Sequence, residues 1–317
     1  MLLPLLSSEP DAPSETTAQT ERTNLWEHMN DELRWNVDNL VEMAVTGKVS
    51  QPAVRRGGYT PWPDGVGVML PGMSGIIYSA RVGDRAFGWA GDHVEPGVSI
   101  AHTDERADFA LHYLTCIGNE AEVMTGFARG AKGIVTGEHA RILVDFAPEV
   151  LEDMTIGDTI QIRTVGRGIR LEDHPGIEFK KTSPALANAL GLRADGGRIH
   201  CPVAMELPPR IMGSGAELNA EFVDQDLMSG DRALMAELGI DQMRLGDLIG
   251  IRNVDHRFGR SYRDGWVAIC ICIHGDSVMT GHGPGILTLM TGPADLLEFD
   301  VDPAANIAHT LGIRGQA

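Results

Sequence analysis

The run His274-Gly-Asp-Ser-Val-Met-Thr-Gly-His-Gly-Pro-Gly285 places two imidazoles and a carboxylate among glycines. It directly follows an apolar stretch, Trp266-Val-Ala-Ile-Cys-Ile-Cys-Ile273, which reads as a buried strand. Far upstream, Gly91-Asp-His-Val-Glu-Pro-Gly97 is a cluster of the same kind, with one imidazole and two carboxylates between glycines. Glycines let backbone approach a ligand closely, and strand ends are where folds carry their sites. Imidazole and carboxylate groups there can bind a divalent ion or move protons. His93, His274 and His282 are the candidate metal ligands. Asp92, Glu95 and Asp276 are the candidate catalytic carboxylates. Both roles require the two distant stretches to fold into one pocket.

Other segments offer contacts for a substrate. Asp255-His256 follows a second apolar strand. Cys116 and Asn119 follow a helix, and Cys116 would become a nucleophile if His112 or His139 lay beside it. The stretch from Gly130 to His139 combines backbone N–H groups with Lys132 and His139, suited to an anionic group or an oxyanion. Cys116, Asn119, Lys132, His139, Asp255 and His256 are therefore candidate substrate-binding residues. Neither a Walker loop nor a G-x-G-x-x-G ahead of a helix is present, so a nucleotide fold has no support.

The elements that must position these groups are mostly strands. Short apolar runs broken by Gly and Pro fill residues 57–100 and 118–137. Leu151–Val165 and Ile240–Val254 share Met, Gly-Asp, alternating Ile, Arg and Val at a constant offset. Each reads as a turn followed by a half-buried strand. The match is either a common phrase met twice or the trace of two related β-rich halves. Helices are predicted at Asn24–Thr46, from a capping-box start and an apolar stripe, and at about Thr103–Thr115, Ser183–Leu190 and Asp226–Leu238. In the second of these Phe109, Leu111 and Leu114 should point inward. The expected architecture is α+β: a strand-rich, two-part fold of barrel or sandwich-like halves with a few packing helices. Residues 1–23, rich in Ser, Thr, Glu and Pro, are expected to be a disordered tail, 24–170 an N-terminal α+β domain and 171–317 a C-terminal β-rich domain.

The 317 residues carry 26 Lys+Arg against 44 Asp+Glu, a net charge of −18. Nucleic acids and anionic membranes need a basic face, so neither is an expected partner. No apolar run reaches the length of a membrane span. The four cysteines contain no C-x-x-C pair. They read as small buried hydrophobes, with Cys270 and Cys272 on one face of their strand, as expected in a reducing cytoplasm. A homo-oligomer is the default expectation.

The phrases Leu70–Tyr78, Gly88–Val98, Cys116-Ile-Gly-Asn119, Ile211–Gly215, Gly259-Arg260 and Gly281–Gly285 are spread over about residues 24–308. Taken together they resemble a bacterial and archaeal family known as domain of unknown function 4438. The resemblance implies a two-part, strand-rich α+β fold and carries no reaction with it. The chain departs from the family pattern after His139, where Ala140-Arg141 stand in place of glycines. A second, architectural likeness is to acetamidase/formamidase-type hydrolases, which are β-rich with an Asp/His/Glu metal cluster.

The expected function is metal-assisted hydrolysis of a small amide, imide or lactone-like substrate, with zinc or a similar divalent ion as cofactor. The alternatives are a metal-free isomerase or lyase using His93 or His282 as acid and base, and a non-catalytic small-molecule-binding protein.

Overall fold

A computed structural model describes residues 33–54, 60–61, 67–214, 221 and 224–314. The first half contains β1 (Met43–Val49), β2 (Thr60–Pro61), β3 (Gly67–Val68), β4 (Ile76–Ile77), β5 (Gly97–Ala101), β6 (Glu120–Val123), β7 (Lys132–Glu138), β8 (Ile142–Asp145) and β9 (Thr159–Thr164). Strands pair in the order β1-β9-β6-β7-β8-β5, and β1 also pairs with β5, which closes a 6-strand barrel. β4 extends it beside β5, and β2 pairs with β3 as a separate hairpin. Alternating apolar residues, among them Ile100, Val123, Val144, Ile160 and Ile162, fill the interior. Helix α1 (Glu105–Leu114) begins at Asp104, whose carboxylate accepts from Ala107 N at 2.9 Å. Leu111 is buried, and a Cβ on Gly47 of β1 would lie 3.0 Å from its Cδ2. Phe109, expected inward, is instead 53% exposed and stacks on Tyr113.

The helix expected over Asn24–Thr46 is corrected over its described part; Asn24 to Glu32 lie outside the described residues. Trp35 bridges Leu171, Val37–Asn39 form one 3₁₀ turn, and Met43 onward is β1. Val45, Thr46 and Val49 are β-branched and pack well on a pleated surface. Pairing of Val45 with Ile162 and of Gly47 with Ile160 also closes the barrel, which a helix could not do. Part of the supposed apolar stripe faces solvent, with Val41 75% exposed.

The second half contains β10 (Glu178–Phe179), β11 (Arg193–Asp195), β12 (Arg198–Val203), β13 (Met205–Leu207), β14 (Asp224–Asp226), β15 (Leu248–Val254), β16 (Tyr262–His274), β17 (Gly285–Pro293) and β18 (Leu297–Val301). Its main sheet runs β10-β17-β16-β15-β13, with β14 also paired to β17. From Trp266 onward β16 is buried. Val267, Ile269, Ile271 and Ile273 enter one apolar cluster, while Ala268, Cys270 and Cys272 enter the other. The period-2 reading thus places both cysteines on one face. β11, β12 and β18 make a smaller sheet, with Phe299 of β18 lying over Gly250 of β15.

Short helices α2 (Pro148–Asp153), α3 (Pro184–Ala189), α4 (Arg232–Glu237) and α5 (Ile307–Thr310) complete the elements. Ser183 caps α3, as its sequence position suggests. The helix expected at Asp226–Leu238 shortens to α4, because Asp231 is its cap and Asp224–Asp226 is drawn into pairing with β17.

The repeated phrase is a shared local unit, one copy in each half. In both copies a helical turn leads to a Gly with positive φ (Gly157 at 93°, Gly246 at 85°) and then into a strand. The following Asp accepts the N–H three residues back, Thr155 N to Asp158 at 2.8 Å and Arg244 N to Asp247 at 2.7 Å. The same turn occurs at Gly83-Asp84, where Arg81 N reaches Asp84 at 2.8 Å.

Candidate metal centre at the junction of the two halves

The two histidine-bearing stretches meet. His93 N donates to Asp276 O at 3.0 Å, Gly275 N to Val94 O at 2.9 Å, and Ser277 Oγ to Asp92 Oδ1 at 2.8 Å. Strand β7 of the barrel packs on the end of β16. A Cβ on Gly137 would stand 2.9 Å from Ile273 Cγ2, so only glycine permits this approach. The contact brings His139, just past β7, to a ring-centroid distance of 4.1 Å from His274 at the end of β16. The His93 ring lies 4.9 Å from that of His274, 5.3 Å from His139 and 5.4 Å from His282.

Three of these imidazoles are held in the same way. Asp92 Oδ1 is 3.0 Å from His93 Nδ1, Glu95 Oε1 is 2.8 Å from His139 Nδ1, and Gly275 O is 2.8 Å from His274 Nδ1. An acceptor on Nδ1 fixes the tautomer and leaves Nε2 as the free lone pair, the arrangement that supports metal-bound histidines. Glu95 is fully buried, and its other oxygen takes Ser74 N at 2.7 Å and the Ser99 hydroxyl. Asp92 also accepts Val278 N at 3.2 Å. The candidate catalytic carboxylates Asp92 and Glu95 therefore orient histidines. Asp276 turns away, to Ser229 Oγ and to Arg232 at 2.7 Å. His93 has φ 50°, a left-handed conformation that a non-glycine residue adopts at a cost, here at the head of the site.

The Nε2 atoms converge on two carboxylates that sequence reasoning missed, Asp224 and Asp226 of β14. Asp226 Oδ1 is 3.3 Å and Asp224 Oδ2 3.4 Å from His274 Nε2. Asp224 Oδ2 is also 3.6 Å from His139 Nε2. Asp226 Oδ2 is 3.7 Å from His93 Nε2 and contacts His282 Nδ1. The Asp-x-Asp spacing was the available signal, since it puts both carboxylates on one face of a strand.

The electrostatics are extreme for an acidic protein. Burial alone would raise the Asp226 pKa, but the surrounding imidazoles of His274, His282 and His93 outweigh it and hold the carboxyl far below the usual range. Burial disfavours a charged His274, yet Asp224 and Asp226 push its pKa well up. His93 is raised too, with Asp226 and Asp92 overcoming burial. Among the described residues, His274 Nε2, Asp224 Oδ1 and Asp226 Oδ1 are buried without a hydrogen-bond partner. Orphaned donor atoms of these types, grouped as His93/His139/His274, His93/Asp226/His282 and Asp224/Asp226/His274, fit a divalent cation. Gly285 shapes the floor: a Cβ there would collide with His274 Nε2 and Asp224 Oδ1. Asp224 and His282 retain 19% and 20% side-chain exposure, so the cluster opens on their side, where Ser214 Oγ sits 3.0 Å from His282 Nε2.

Of the six residues read as substrate contacts, His139 joins the cluster. Ala140, directly after it, lies in the left-handed region, φ 49°. The other five serve elsewhere in the structure. Asn119 clips Cys116 N and Val165 O, each at 2.8 Å. Cys116 is buried, which pushes its thiol up to about 11, and Lys181 only partly offsets this. Lys132 pairs on the surface with Glu120 at 2.7 Å and with Glu122. Burial would raise Asp255, but the guanidiniums of Arg257 and Arg263 hold it down at about 2. His256 is buried against Thr288 and pushed down to about 4 by that burial.

The N-terminal domain of the family known as domain of unknown function 4438 matches residues 59–188, and its C-terminal domain matches residues 189–311. The chain belongs to that family. A solved relative, the crystal structure of TM1086, is 38% identical and superposes with a TM-score of 0.83 over 87% of this chain and 98% of that one. No curated protein matches the chain. Among the described residues, no helix is long and apolar enough to cross a membrane.

Proposed function

We propose that the protein is a metal-assisted hydrolase of small amides, imides or lactone-like esters. The observation that carries this reading is the set of three histidines whose Nδ1 atoms are tied down while their buried Nε2 atoms face Asp224 and Asp226. A donor set of imidazole and carboxylate without thiolate suits zinc or a similar divalent ion, which supplies Lewis-acid polarisation of a carbonyl and acidification of water.

The chain's own groups do the rest. Asp92, Glu95 and Gly275 O keep the imidazoles in register, so little reorganisation is needed when charge develops. The opening beside Asp224, His282 and Ser214 admits the substrate, and Ser214 Oγ is placed to hydrogen-bond its carbonyl or ring nitrogen. The four free, buried cysteines suit a reducing cytoplasm. Exposed Phe127 and Phe258, at 92% and 86%, suit contact between copies in a homo-oligomer.

The test is a panel of small amides, cyclic imides and lactones, run with protein as purified, after chelation, and after restoring zinc or manganese. The expected result is hydrolysis lost on chelation and regained on metal addition. Turnover that persists in fully stripped protein would overturn the reading and favour metal-free acid–base chemistry.

A further inference from the structure

We propose that the centre holds two divalent cations bridged by the Asp226 carboxylate, an inference that rests on the metal-dependent reading above. The two oxygens of Asp226 face different partners. Oδ1 lies 3.3 Å from His274 Nε2, whereas Oδ2 lies 3.7 Å from His93 Nε2 and touches His282 Nδ1. One donor set gathers His274, Asp224 and Asp226 Oδ1, with His139 Nε2 at its edge, 3.6 Å from Asp224 Oδ2. The other gathers His93, His282 and Asp226 Oδ2. Asp226 belongs to both, through opposite oxygens, and the triad His93, His139 and His274 lies across the two sets.

Ligand geometry favours two ions over one. With bonds of about 2.1 Å, two donors on one ion sit about 3.0–3.4 Å apart when adjacent and about 4.2 Å when opposite. The contacts around His274 Nε2, at 3.3 and 3.4 Å, match adjacent donors on one ion. Six donors on a single ion would all lie within that opposite-donor limit and form one group. Instead they resolve into overlapping triads, each mutually within 4.8 Å. A single ion taking all six would also leave no position for water or substrate.

Charge points the same way. Asp92, Glu95, Asp224 and Asp226 bring four carboxylates into one mostly buried volume. Two divalent cations balance them, while one leaves a net double negative charge in a poorly solvated site. Independently, His274 Nε2 is fully buried and has no hydrogen-bond partner, as do Oδ1 of both aspartates. In two-ion hydrolytic sites the metals sit about 3.5–4 Å apart and share the work of binding the attacking and departing oxygens.

The full-length chain, stripped with chelator, is titrated with Mn(II). Bound metal is counted by elemental analysis and the spin state followed by electron paramagnetic resonance. The expected result is two ions per chain, with the isolated-ion signal of the first equivalent giving way to an exchange-coupled signal at the second. H282A is expected to bind one ion fewer and to show no coupling, and D226N to lose coupling; H282A alone suffices if D226N does not fold. One ion per chain with an uncoupled signal at saturation would overturn the two-ion proposal and leave the metal-dependent reading standing. No bound ion would overturn both.

Discussion

Glu95 and His139 are 44 residues apart in sequence, yet Glu95 Oε1 sits 2.8 Å from His139 Nδ1 with the carboxylate wholly buried. The pair joins the loop before β5 to the loop after β7, so barrel closure sets the direction of the imidazole. E95Q keeps the size but puts an amide N–H₂ opposite either the ring N–H or the Ser74 N–H. The expected outcome is a metal affinity about 10–100-fold weaker, read by competition with a chromophoric chelator, with circular dichroism unchanged.

Gly285 is held to glycine by the His274 ring and the Asp224 carboxylate. G285A should displace His274 and cost about 1–3 kcal/mol through overpacking. Thermal unfolding combined with metal analysis checks it: a variant of wild-type stability and metal content would contradict the described packing.

Asp158 accepts from Thr155 N at 2.8 Å and from Thr125 Oγ1 at 3.0 Å in the turn that launches β9. D158A leaves those donors unsatisfied and should cost about 1–3 kcal/mol. Because Asp158 contacts none of the candidate metal donors, metal stoichiometry should not change. Urea unfolding and elemental analysis separate the two effects.

His256 gives a pH signature. Burial lowers its folded pKa from the model-compound value of 6.5 to about 4. Between those values the unfolded chain binds the proton and the folded chain does not, so stability falls as pH drops through this window. The full difference is up to about 3 kcal/mol. H256N removes the titrating group; the gap between wild-type and variant unfolding free energies should therefore change from pH 7 to pH 4, in favour of the variant. A pH-independent gap would refute the assignment.

Much of the site was legible because glycine marks it. His93 and His282 stand in Gly-rich loops and His274 ends a recognisable strand just before one, and the structure brings all three within one ring-contact network. Asp224 and Asp226 were not, because a three-residue strand of Asp-Gln-Asp has no apolar alternation of its own and runs on into a helical pattern. Its pairing with Gly285–Leu287 is what makes it a strand. The strand-rich halves were visible in alternating Ile160/Ile162 and Ile249/Ile251. Closure through Lys48–Ala101 and Val49–Ile100 was not, since pairing between distant strands leaves no local trace. The same long-range pairing overrode the helical spacing read before Gly47.

Gly137 and Ile273 mark the contact across which His139 and His274 face each other. One half supplies His93, His139 and their carboxylate props, and the other supplies Asp224, Asp226, His274 and His282. Neither half alone therefore carries the whole donor set. On the metal-dependent reading proposed above, full coordination of a cation would have to wait until His282 had emerged and the late strands had docked, so that acquisition of the ion would mark the end of folding.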